Sequence, residues 1–151
     1  MALSNKNRPD LHAEFIAQIR RFIAGTILFN QQVAEHVGLR LTDMQCINVL
    51  DLLGPSTPGQ LAQHTGLTTG GVTVMLDRLE KAGFIKRHRS PTDRRSLLIQ
   101  VNPIKLKKIH AFYAGINKRL GAFLSETPEI EIQLATKFFS RMNAIRSEIQ
   151  S

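Results

Sequence analysis

Apolar side chains recur three and four residues apart over most of this chain, the spacing that places them on one face of a helix. Leu11, Phe15, Ile19, Phe22, Ile23 and Ile27 predict a first helix over about 11–35. Cys46, Val49, Leu50 and Leu53 give a second helix its buried stripe. Thr42 and Gln45 are spaced as a capping box at its start, and Gly54-Pro55 stops it. Thr57 with Gln60 forms a further capping box, and Pro58 stands at the first position of a short third helix in which Leu61 and Ala62 look inward. After the Thr65-Gly66 turn, Thr68 caps a fourth helix with Val72, Met75, Leu76 and Leu79 inside, and Gly83 ends it. The period then shortens. Phe84 to Arg89 and Ser96 to Val101 read as two strands of a hairpin, joined through Ser90-Pro91-Thr92-Asp93 and Arg94-Arg95 by a loop longer than two residues. Asn102-Pro103 opens a fifth helix, with Ile104, Leu106, Ile109, Phe112, Tyr113, Ile116, Leu120 and Phe123 on a broad face. Thr127-Pro128 opens a last one, lined by Leu134, Phe138, Met142 and Ile145.

The fold class expected is mainly α with a small antiparallel β-wing: a winged helix-turn-helix flanked by terminal dimerisation helices. The winged part occupies 36–102. Residues 11–35 and 104–149 carry more apolar surface than so small a core can cover, so they are expected to pair two copies as a homodimer.

Charge sharpens this picture. The 151 residues carry a formal net charge of +8, and nearly all of it lies in residues 78–108. There Arg78, Lys81, Lys86, Arg87, Arg89, Arg94, Arg95, Lys105, Lys107 and Lys108 face only Glu80 and Asp93. Cations gathered on one helix end and one hairpin fit a polyanion, whose condensed counterions they release on binding. No apolar run is long enough to cross a bilayer, the polar opening Met1 to Asp10 does not read as a signal peptide, and one cysteine cannot staple the fold. A cytoplasmic setting with no membrane partner is therefore expected.

Several motifs resemble the MarR family of winged helix-turn-helix transcriptional regulators over nearly the full chain. They are Leu41-Thr42-Asp43-Met44-Gln45, Thr57-Pro58-Gly59-Gln60-Leu61-Ala62 and Thr68-Thr69-Gly70-Gly71-Val72-Thr73, then the stretch from Leu76 to Ile85 and Pro91-Thr92-Asp93-Arg94-Arg95. The resemblance implies a dimer paired through its terminal helices, and a repressor that lets go of DNA when a small aromatic or phenolic molecule binds between the dimer and DNA-binding parts. Two positions depart from the pattern. Val74 stands where relatives often carry Arg, and Val101-Asn102 replaces the usual Leu-Thr at the end of the second wing strand.

The expected partner is double-stranded DNA carrying a pseudo-palindromic operator. The fourth helix fits the major groove, with Thr57, Thr68, Thr69, Gly70, Gly71, Thr73, Val74 and Arg78 as candidate contacts. Gly70 and Gly71 either permit close approach to DNA or serve packing against the third helix. Arg94 and Arg95 at the hairpin tip suit the minor groove, Arg87 and Arg89 face backbone or solvent according to register, and Asp93 shapes the tip. Asp77 and Glu80 read as partners for neighbouring bases on their own helix. The candidate effector pocket takes Phe15, Ile19, Phe22, Phe112, Tyr113 and Ile116, each of which also suits plain core or dimer contact.

Other functions leave weaker traces. Cys46 as an oxidant sensor is opposed by its place on a buried stripe. His12, His36, His64, His88 and His110 are too scattered to form a recognisable metal set. No phosphate loop, nucleophile elbow or paired-acid motif points to an enzyme, and no cofactor is expected. A winged-helix protein-interaction module remains as the alternative, to be told apart by its failure to bind any duplex.

Overall fold

The computed structural model describes residues 7–91 and 95–150. In chain order these form α1 (Arg8–His36), α2 (Leu41–Leu53), α3 (Pro58–Thr65), α4 (Thr69–Lys81), β1 (Ile85–Arg89), β2 (Leu97–Val101), α5 (Pro103–Glu126) and α6 (Glu129–Gln150). The chain divides into two compact units, 1–45 and 46–151.

In the first unit α1 begins earlier than its apolar stripe. Asn7 Oδ1 accepts the Asp10 N–H at 3.1 Å, and Pro9 sits in the first turn, so cap chemistry adds a turn ahead of Leu11. Gly38, with φ at 73°, ends the helix, and the Leu39 N–H reaches back to the Ala34 carbonyl at 2.8 Å. The expected Thr42 cap is not used. α2 starts at Leu41, and the fully buried Asp43 carboxylate accepts the Arg40 N–H at 3.1 Å, closing the first turn from the third helical position.

The second unit holds the winged core. The α2 stripe is corrected at its edges: Cys46 and Leu50 are buried as expected and Ile47 joins them, whereas Val49 is half-buried and Leu53 exposed. Gly54, with φ at 79°, turns the chain out of the helix. Ser56 then pairs with Ile99 in an antiparallel bridge, exchanging N–H···O bonds of 3.1 and 2.8 Å, a third edge on the wing that the sequence did not announce. α3 carries the full Thr57/Gln60 capping box and ends on the left-handed Gly66. α4 is capped by Thr68, whose hydroxyl accepts the Gly71 N–H at 3.2 Å. It buries Val72, Met75, Leu76 and Leu79.

β1 and β2 are each one residue shorter than expected and pair antiparallel, Ile85 opposite Val101 and Arg89 opposite Leu97. Asn102 then fastens the start of α5. Its N–H donates to the Phe84 carbonyl at 2.7 Å, its amide to the Gly83 carbonyl at 3.0 Å, and its side-chain oxygen accepts the Ile104 N–H at 3.0 Å. The Lys105 ammonium lies 4.9 Å from the centre of the Phe84 ring, adding a cation–π contact at this joint. Further along α5, His110 Nε2 meets Asp51 Oδ2 of α2 at 2.7 Å, and Tyr113 bonds Asn48 one turn away. These pairs run in opposite order, so the two helices meet antiparallel. Burial pushes the Tyr113 phenol above the usual tyrosine value, and the Asn48 hydrogen bond opposes that rise.

Candidate nucleic-acid interface

α4 has two chemically distinct sides. Its buried stripe faces the winged core, and the opposite side presents Gly70, Thr73, Val74 and Asp77, all exposed. Thr69 is exposed at the first turn and Arg78 is half-buried near the last. The expectation that Met75 and Leu76 belong to the core holds. The two glycines separate. Nothing lies within 4 Å of where a Cβ at Gly70 would stand, whereas one at Gly71 would sit 3.3 Å from Thr68 Oγ1 and 3.6 Å from Leu67 Cβ. Gly71 is thus constrained by its own cap and turn, not by packing on α3, and Gly70 is open to the outside.

The hairpin lies against this helix through a charge cluster. Arg87 Nη2 stands 2.6 Å from Asp77 Oδ1, Arg87 Nη1 stands 3.4 Å from Glu80 Oε2, and the Arg87 N–H donates to Glu80 Oε1 at 3.3 Å. Asp77 and Glu80 are therefore matched by a strand residue, which corrects the expectation of pairing along their own helix. Strand parity supplies the reason. Arg87 shares a face with the buried Ile85, so its side chain turns toward α4 and is only 26% exposed. The missed signal was the three-residue spacing of the two acids, which sets both on one side of α4 where a basic inward strand position can reach them.

The remaining sequence candidates are placed as follows. Thr57 is engaged in its capping box, with its hydroxyl accepting the Gln60 N–H at 3.3 Å. Arg89 ends β1 and Arg95 lies in the turn before β2, both exposed. Asp93 and Arg94 fall outside the described residues. Phe15, Ile19 and Phe22 lie on α1 in the first unit, and Phe112, Tyr113 and Ile116 on α5 in the second. Ile19 and Tyr113 are half-buried and the other four exposed. Cys46 is fully buried. Among the described residues no helix is long and apolar enough to cross a membrane, and no group of three His, Cys, Asp or Glu stands together.

Comparison with known proteins agrees with this geometry. The family model described as the MarR family matches residues 37–96. The HTH-type transcriptional regulator YcgE of Bacillus subtilis strain 168 is 33% identical over 147 residues, 97% of this chain and 96% of that protein. Among solved structures, AbfR of Staphylococcus epidermidis superposes with a TM-score of 0.63 at 20% identity, covering 93% of this chain and 96% of AbfR. A mutant of MepR from S. aureus, bound to an oligodeoxyribonucleotide, gives 0.56 at 18% identity, covering 85% of this chain and 96% of MepR. Coverage of almost the whole of YcgE, together with the helix-turn-helix and wing described above, settles the assignment: this chain belongs to the MarR family and is a DNA-binding transcriptional regulator.

Proposed function

We propose that two copies of this chain pair through their terminal helices and bind one pseudo-palindromic operator, each placing α4 in the major groove and its hairpin tip in the adjacent minor groove. The observation that carries this reading is the Arg87 cluster, which fastens the basic hairpin beside the outward face of α4. Thr68 and Thr69 then meet phosphates and base edges, Thr73 offers its hydroxyl oxygen as an acceptor to a base edge, and Arg94 and Arg95 reach the narrow groove where negative potential concentrates. Arg87 holds the hairpin in place, and Arg78 and Arg89 add positive charge toward the backbone.

Pairing is supported by apolar side chains left in water in the single chain. Phe22 is 68% exposed and Phe123 65%, with Ile23, Ile27, Leu28, Leu120, Ile130, Leu134 and Ile145 also exposed. So much apolar surface is costly in an isolated domain and marks an interface. The protein acts in this reading as a cytoplasmic, non-enzymatic repressor. Release by a small aromatic effector belongs to the same reading: the effector favours a spacing of the two α4 helices that does not match the operator.

The test is selection of bound duplexes from random DNA, followed by mass measurement of the complex. Half-sites related by two-fold symmetry, about one helical turn apart, with two chains per duplex are expected. A single unpaired half-site, or failure to enrich any duplex at low salt, overturns the proposal.

A further inference from the structure

We propose that Val74, lying over the vacant side of Gly70, reads the C5-methyl group of thymine in each operator half-site. The inference rests on the reading that α4 enters the major groove and names what it recognises there.

The outward face of α4 holds unusual chemistry for a base-reading helix. Guanine is read by paired donors from Arg or Lys, adenine by the amide of Asn or Gln, and cytosine by a carboxylate that accepts from its amino group. Between Thr69 and Asp77 this face has no Arg, Lys, Asn or Gln. Asp77, its one carboxylate, is engaged by Arg87 at 2.6 Å. The Thr73 hydroxyl donates inward to the Thr69 carbonyl at 3.1 Å, so its proton is not offered to a base.

What the face does offer is hydrocarbon. Val74 is 61% exposed, on the side of α4 away from the buried Val72 and Leu79. Side chains on a helix lean toward its N-terminus, so the Val74 isopropyl group lies over the turn that begins at Gly70. Gly70 puts nothing there, and the space where its Cβ would stand has no neighbour within 4 Å. The two residues leave a shallow apolar notch beside methyl groups. Of the four bases, thymine alone carries a methyl group into the major groove, and an apolar side chain is what distinguishes it there.

The test uses the duplex obtained by selection with the full-length protein. Each thymine of a half-site is replaced in turn by deoxyuridine, which removes the C5-methyl group and keeps base pairing. At one or two positions per half-site the affinity is expected to fall about fourfold, the value of burying one methyl group. Val74→Ala binds the thymine duplex more weakly by a similar factor and no longer distinguishes thymine from deoxyuridine. Gly70→Ala fills the notch and also loses the distinction, while its thermal unfolding shows the fold intact. Deoxyuridine without effect at every position, or a Val74→Ala protein that still prefers thymine, overturns the inference and leaves the operator reading standing. Failure to select any duplex overturns that reading and this inference together.

Discussion

Arg87 on β1 and Asp77 on α4 meet at 2.6 Å, a direct link between the hairpin and the exposed face of that helix. Ion pairs this exposed contribute little to folding, typically about 0.2–1 kcal/mol. The worth of this one lies in direction: it fixes the hairpin relative to the exposed face of α4. Arg87→Gln is therefore expected to weaken operator binding by on the order of tenfold, with a melting shift of no more than a few degrees. If Arg87 only positions the hairpin and neutralises no phosphate, the slope of affinity against salt stays unchanged. A slope reduced by about one unit would show instead that its guanidinium contacts the DNA backbone.

A double-mutant cycle separates position from charge. Asp77→Asn should reproduce much of the Arg87→Gln loss, and combining them should add little, since both remove one shared link. Full additivity of the two losses in operator binding would mean that each acts alone.

Asn102 joins the wing to α5 by three hydrogen bonds, to Gly83, Phe84 and Ile104, of which its side chain makes those to Gly83 and Ile104. Asn102→Ala removes a helix cap and leaves the half-buried carbonyl of Gly83 without that donor. A loss of about 1–3 kcal/mol in urea unfolding is expected, with the slope against urea unchanged. No measurable loss would mean that water replaces both bonds.

α3 and α4 were legible in the sequence because Thr57 with Gln60, Thr68, Gly66 and Gly83 each fix a helix end through their own local chemistry. The start of α2 was not, because Thr42 and Asp43 are adjacent and both able to cap, and only the folded backbone selects the carboxylate of Asp43. Ser56 makes its bridge to Ile99 as a lone residue after a turn, with no alternation to mark a strand. Arg87 was recognised as a cation, but its direction depends on strand register, where one step reverses the face.

Cys46 is fully buried, so its thiol is expected to resist a soluble disulfide reagent in the folded protein and to react when urea unfolds it. Rapid reaction in the native state, together with peroxide-driven release from the duplex, would restore the oxidant-sensing alternative.

Tyr113 is the only tyrosine, so phenolate absorbance reports it alone. Its ionisation is expected above the ordinary tyrosine value of 10.0 in the native protein and at that value in urea. Since the native value is the higher one, the associated stability is fully present below pH 10.0 and declines as pH rises through the native value. An ordinary titration in the folded state would show that α5 leaves this ring in water.

The measurement that bears most directly on two-part recognition is the salt dependence of operator binding for the unaltered protein and for the Arg94→Ala/Arg95→Ala variant. If the hairpin tip grips DNA beside α4, the variant binds every duplex more weakly and the slope of log affinity against log salt becomes shallower by roughly two to four units per dimer. An unchanged slope with unchanged affinity would contradict it.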